Sequence, residues 1–125
     1  MKKLKRILLI DDNKDTRAML GLMLKVEGYE ISAVGKALGA FELLKTENFD
    51  LAITDILMPD MDGLELITLL RKDYPDLKII AMSAGGRIGP EAYLEIASKL
   101  GAVGVLRKPF TQRELLDSVR TILRS

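Results

Sequence analysis

The sequence predicts a doubly wound α/β domain: five parallel strands in the order 2-1-3-4-5, with helices on both faces. Two observations carry this. Short apolar runs alternate with longer amphipathic stretches five times along 125 residues, and strict alternation of this kind makes a parallel sheet covered by helices. The first run, Arg6 to Asp11 (RILLID), is also continuously apolar, as a strand buried on both faces must be.

The elements follow in order. After the first strand, residues about 14 to 27 form a helix with an apolar side of Met19, Leu20, Met23 and Val26, and Gly28 stands where the residue after a helix end belongs. Tyr29 to Val34 is the second strand, and its partial alternation suits an edge with one exposed face. The second helix spans about 36 to 47, with Ala37, Ala40, Phe41 and Leu44 on one side. Asp50 to Asp55 is the third strand. A loop with Pro59 and Asp60 follows, and Asp62 with Glu65 opens a helix over about 63 to 73. Leu77 to Met82 is the fourth strand. The glycine-rich loop from Ser83 to Pro90 leads to a helix over about 91 to 100, carrying Tyr93, Ile96, Ala97 and Leu100 and stopped by Gly101. Val103 to Arg107 is the fifth strand. Thr111 with Glu114 opens the last helix, which runs to about Leu123 along Leu115, Leu116, Val119 and Ile122. A single domain over residues 1–125 accounts for the whole pattern, and a chain of this length buries roughly two thirds of its unfolded surface.

Composition excludes several chemistries. The chain has no Cys and no His. Disulfides, thiolate catalysis, imidazole metal sites and histidine triads are therefore out, and carboxylates, Lys, Ser, Thr and Tyr must do any acid–base or nucleophilic work. With 19 basic and 18 acidic residues the net charge is +1, so no nucleic-acid partner is expected. The apolar run after Lys2, Lys3, Lys5 and Arg6 stops at Asp11 and is too short for an export signal. Membrane attachment is not expected, and a cytoplasmic location is the default. The last helix pattern ends close to Ser125, so no output domain is expected within these residues.

The chemistry-bearing residues fall on one edge. Asp11 and Asp12 end the first strand, Asp55 the third, Ser83 the fourth, and Lys108 the fifth. A doubly wound sheet binds ligands at this carboxyl edge. Each residue alone has an ordinary reading: the Asp pair as a helix cap, Asp55 and Ser83 as loop residues, Lys108 as a solvated surface side chain. Their conjunction points elsewhere. Strands 1 and 3 are neighbours about 4.8 Å apart, so three carboxylates converge and need a cation between them. Oxygen-only ligands favour a hard ion, Mg²⁺ before Ca²⁺ or Mn²⁺. Strand 5 lies roughly 10 Å from strand 3, a gap that a Lys stem can cross. An Asp flanked by two cationic groups suits phosphoryl transfer.

These residues carry a resemblance to the response-regulator receiver domains of two-component signalling, the CheY-like proteins with a flavodoxin-like (βα)5 fold. It covers essentially the whole chain. It rests on Asp11-Asp12, on the run from Asp55 through Ile56, Leu57, Met58, Pro59, Asp60, Met61 and Asp62 to Gly63, on Ser83-Ala84, and on Lys108-Pro109-Phe110. The resemblance implies that Asp55 is the phosphoryl acceptor and that Asp12 ligates Mg²⁺ directly, with Asp11 acting through water. It implies that Asp55 and the Leu57 backbone carbonyl are further ligands, that Lys108 pairs with the phosphoryl oxygens, and that the Ser83 hydroxyl reads the product. A cis Lys108–Pro109 bond is also implied.

The implied donor is a sensor histidine kinase or a phosphotransfer protein, and the implied receiver of the signal is a downstream protein that the sequence does not name. Such a chain is no turnover enzyme; it catalyses only its own phosphorylation and dephosphorylation.

Three departures from the family pattern carry consequences. Val105 stands where the family usually has an aromatic residue, so the signal is expected to leave through the loop and helix after Ser83. That loop, with Gly85, Gly86, Arg87 and Gly89, is longer than usual and is expected to be the mobile partner contact. Leu57 places an apolar side chain over the phosphoryl position, so slow self-dephosphorylation is expected. Leu57 also stands where a haloacid-dehalogenase type phosphatase needs its second Asp, and Asp11-Asp12-Asn13 would repel the phosphate of a flavin. The remaining alternative is a receiver-like interaction module that is never phosphorylated.

Overall fold

A computed structural model describes residues 4–58, 60–84 and 90–124. Ten elements alternate along the chain: β1 (Arg6–Ile10), α1 (Lys14–Val26), β2 (Glu30–Val34), α2 (Ala37–Thr46), β3 (Leu51–Asp55), α3 (Gly63–Asp73), β4 (Lys78–Ser83), α4 (Pro90–Leu100), β5 (Gly104–Arg107) and α5 (Gln112–Arg124). All strand pairs are parallel and the order is β2-β1-β3-β4-β5, as the sequence predicts. Predicted strand and helix limits hold to within a residue or two. The predicted loop over Gly85, Gly86, Arg87 and Gly89 lies outside the described residues, as does Pro59.

Period-two alternation in the central strands builds two cores at once. Leu8 and Ile10 of β1, with Ala52, Ile79 and Ala81, face one cluster covered by α2, α3 and α4. Ile7 and Leu9, with Leu51, Ile53, Ile80 and Met82, face the other, covered by α1 and α5. β2 is half-exposed along its length, as an edge strand should be, and β5 closes the opposite edge with Leu106 as its buried residue.

Local signals set the helix limits. Gly28, at φ +99°, ends α1: its N–H donates to the Lys25 carbonyl and that of Tyr29 to the Leu24 carbonyl. This is the paired closure that a left-handed residue permits. The predicted capping box opens α5, with Glu114 N–H on Thr111 Oγ1 and Thr111 N–H on Glu114 Oε1, each at 3.1 Å.

Two helix faces differ from the prediction. In α1 the buried residues are Leu20, Gly21 and Leu24, with Met23 packed beside them, while Met19 and Val26 are exposed. At 100° per residue, Met19 and Val26 lie across the axis from a stripe centred between Leu20 and Leu24. In α4, Leu94 and Ala97 are buried and Ile96 is exposed, so the buried stripe is rotated toward Leu94. Periodicity offered an apolar residue on either side, and contact with the sheet chose between them.

Gly63 is fixed by close approach rather than by φ. A Cβ there would stand 2.4 Å from Ile56 Cα and 2.6 Å from its carbonyl oxygen. The start of α3 is thereby pressed against the exit of β3. Gly63→Ala is expected to destabilise the fold by about 1–3 kcal/mol through overpacking, measured by urea unfolding. An unchanged midpoint would contradict the close contact.

Candidate functional site

The carboxyl edge of the sheet gathers the predicted residues. Asp11 leaves the end of β1 with its N–H on the Val34 carbonyl at 3.1 Å, and it is fully buried. Asp55 is the last residue of β3 and retains 8% exposure. Ser83 ends β4 and is fully buried; its carbonyl accepts the Lys108 N–H at 2.9 Å. Asp12 is exposed at the mouth of the site. The Lys108–Pro109 peptide bond is cis, as the family resemblance implies.

Lys108 reaches farther than strand spacing alone suggests. Its Nζ lies 3.1 Å from Asp55 Oδ2 and also 3.1 Å from Asp11 Oδ2. The ammonium thus bridges two carboxylates carried by adjacent strands. The remaining oxygens are also placed: Asp55 Oδ1 accepts the Leu57 N–H at 3.1 Å, and Asp11 Oδ1 accepts the Asn13 N–H at 2.9 Å.

Oxygens of Asp11, Asp12 and Asp55 lie within 4.8 Å of one another, close enough to hold a metal ion. Three carboxylates against one ammonium leave two negative charges, which one divalent cation balances. The donors are all oxygen, and each carboxylate oxygen keeps a lone pair beyond the hydrogen bonds described. This donor set fits a hard cation.

Burial and neighbouring charges oppose each other at both Asp55 and Lys108. Burial pushes the Asp55 carboxyl above its usual range, against the opposing pull of Lys108 and the Leu57 N–H, and Asp11 adds repulsion. Burial pulls Lys108 down, but its contacts with Asp55 and Asp11 outweigh it, so the ammonium is held above its usual value.

Two supporting residues escaped the sequence reading. Asn13, not the Asp pair, caps α1, accepting the Thr16 N–H at 2.9 Å. Asn13 is itself a good cap residue, which is the signal that the acidic pair hid. Arg17 donates to the Asp11 carbonyl at 2.7 Å and helps to fix the turn after β1. Val105 is exposed on β5.

Known proteins of one family resemble this chain in sequence and in fold. A family model described as the response regulator receiver domain matches residues 7–120. The response regulator protein FleR of Pseudomonas aeruginosa is 40% identical over 114 residues, 91% of this chain and 24% of FleR. The response regulator receiver protein CpdR of Brucella abortus is 36% identical over 122 residues, 96% of this chain and 98% of CpdR. The chain therefore spans about a quarter of one relative and nearly all of the other. The crystal structure of the response regulator protein TrrA from Thermotoga maritima, in complex with Mg²⁺-BeF, is similar with a TM-score of 0.84. It is 34% identical, and the match covers 95% of this chain and 99% of that one.

Proposed function

This chain belongs to the response regulator receiver family, and on that premise we propose that Asp55 accepts a phosphoryl group from the phosphohistidine of a sensor kinase or phosphotransfer protein. The observation that carries the reading is the position of Lys108 Nζ, 3.1 Å from Asp55 and 3.1 Å from Asp11, beside a third carboxylate. Asp11, Asp12, Asp55 and the Leu57 carbonyl would hold Mg²⁺, Asp11 through water and the others directly. When bound, the ion supplies charge neutralisation for the transferring phosphoryl oxygens.

The residues divide the work. Asp55 attacks phosphorus in line, forming a P–O bond as the P–N bond to the donor histidine breaks and the imidazole leaves with the electron pair. Lys108 stabilises the charge that develops on the equatorial oxygens. Ser83 donates its hydroxyl to the new phosphoryl group. The product is an acyl phosphate, which water later removes. That TrrA is bound to Mg²⁺-BeF supports a comparable ligand set here.

The chain acts in the cytoplasm as one receiver domain over residues 1–125, passes its signal to a downstream protein, and turns over no other substrate. Among the described residues no helix is long and apolar enough to cross a membrane. Without an aromatic residue at Val105, the signal leaves through Ser83 and the loop and helix after it. Hydrogen exchange over residues 84–100 should change when a phosphoryl mimic binds; matched exchange would contradict this route.

The direct test of phosphorylation is incubation with acetyl phosphate and Mg²⁺, read by intact mass. The expected result is a gain of one phosphoryl group. No gain would favour an interaction module that is not phosphorylated. Leu57, 42% exposed beside Asp55, shields the acyl phosphate from water. Leu57→Ala should shorten the phosphoryl lifetime by about tenfold, on the order of 1.4 kcal/mol in barrier. An unchanged lifetime would remove Leu57 from the account.

A further inference from the structure

The loop between β3 and α3 reaches across to cap a helix that is not its own. Asp60 Oδ1 accepts the Ala37 N–H at 3.3 Å, and Oδ2 accepts the Leu38 N–H at 3.4 Å. These N–H groups open α2, where a helix has no internal acceptors. The residue before a helix normally supplies the cap. Here that residue is Lys36, whose side chain makes no capping bond, and the first turn of α2 contains no acidic residue. α2 therefore takes its cap from a residue 23 positions beyond Ala37.

The same two bonds hold the loop. Its entrance is fixed by Ile56 N–H on the Met82 carbonyl at 2.9 Å, and its exit by Gly63 N–H on the Ile56 carbonyl at 2.8 Å. Between these ends Met58 and Met61 pack on the core, and Asp60 ties the loop to α2. Leu57, whose carbonyl would be a metal ligand under the proposed function, lies three residues before Asp60.

We propose that Asp60 is a positioning residue for the metal site: by capping α2 from a distance it fixes the loop that presents the Leu57 carbonyl, and it makes the start of α2 respond to metal. The proposal rests on the metal reading under the proposed function. Coupling of this kind is reciprocal. If the cap favours the loop geometry that binds metal, metal binding must strengthen the cap.

The test uses the intact chain with Mg²⁺ alone, titrated calorimetrically, together with hydrogen exchange at the Ala37 and Leu38 amides. Asp60→Ala should weaken Mg²⁺ binding by about tenfold, as loss of a residue that orients a ligand does. Asp60→Asn keeps one capping oxygen at the same reach without the charge and should stay within about threefold of wild type. Mg²⁺ should slow exchange at both amides in wild type, and should leave it unchanged in Asp60→Ala. Wild-type affinity in Asp60→Ala would overturn the assignment, as would weakening in Asp60→Asn equal to that in Asp60→Ala, which would mark a long-range charge effect. A wild-type chain that binds no Mg²⁺ would overturn the metal reading itself, a result distinct from wild-type binding with Asp60→Ala unchanged.

Discussion

Lys108→Met should lower both the stability of the metal-free chain and the rate at which it gains a phosphoryl group. The stability loss follows from what the ammonium leaves behind. Asp11 is fully buried and Asp55 nearly so, and both have Oδ2 on Lys108 Nζ. Removing one partner from a buried ion pair typically costs about 3–5 kcal/mol, because the other charge remains without compensation. Here two carboxylates are left facing each other. Mg²⁺ should recover part of the loss, since it supplies positive charge to the same oxygens. The rate should fall by about 10² to 10³, the cost of removing one stabiliser of developing negative charge. Urea unfolding with and without Mg²⁺, and the time course of mass gain from acetyl phosphate, read the two effects separately. A variant as stable as wild type without metal would contradict the bridging contact.

Asp55→Asn should move stability in the opposite direction. The fold raises the Asp55 carboxyl above its usual range, burial being the first cause, so the native state disfavours the charge that Asp55 carries at neutral pH. A raised acid contributes stability below its unfolded value of about 3.9 and loses it as pH rises through the folded value. The metal-free wild type should therefore lose stability as pH climbs out of the ordinary aspartate range, and Asp55→Asn should lack that part of the decline. Asn preserves an acceptor for the Leu57 N–H and relieves the repulsion from Asp11. Its metal-free Tm at neutral pH should be higher by about 2–8 °C, the scale on which relieving a functional site stabilises a domain of this size. Added Mg²⁺ should narrow the gap by stabilising the wild type more. Scanning calorimetry at several pH values checks this. A lower Tm for Asp55→Asn throughout would show that the Lys108 pair outweighs burial.

Much of this arrangement was legible in the sequence for particular reasons. β1, β3 and β4 are buried on both faces, so their residues form nearly unbroken apolar runs, and strict alternation with helices then fixes a parallel sheet. In such a sheet, residues at the carboxyl ends of strands must share one edge. That is why the sequence alone gathers Asp11, Asp55, Ser83 and Lys108 at one edge.

What escaped depended on packing across elements. The length of a Lys stem says that Lys108 can reach Asp55, but only the surrounding fold places its ammonium between Asp55 and Asp11. The apolar residues of α1 are compatible with more than one buried face, and contact with the sheet chose Leu20 and Leu24. A cap is sought next to the helix it serves, so Asp60, far along the chain from α2, gave no local signal.

Asp55 is the proposed carrier of the phosphoryl group. An acyl phosphate is reduced by borohydride to the corresponding alcohol, which converts a phosphorylated Asp into homoserine. Treatment of the chain with acetyl phosphate and Mg²⁺, then borohydride, followed by peptide mass mapping, should place homoserine at position 55 alone. Homoserine at position 11 or 12, or an unconverted Asp55 in a chain that has gained phosphoryl mass, would contradict the account.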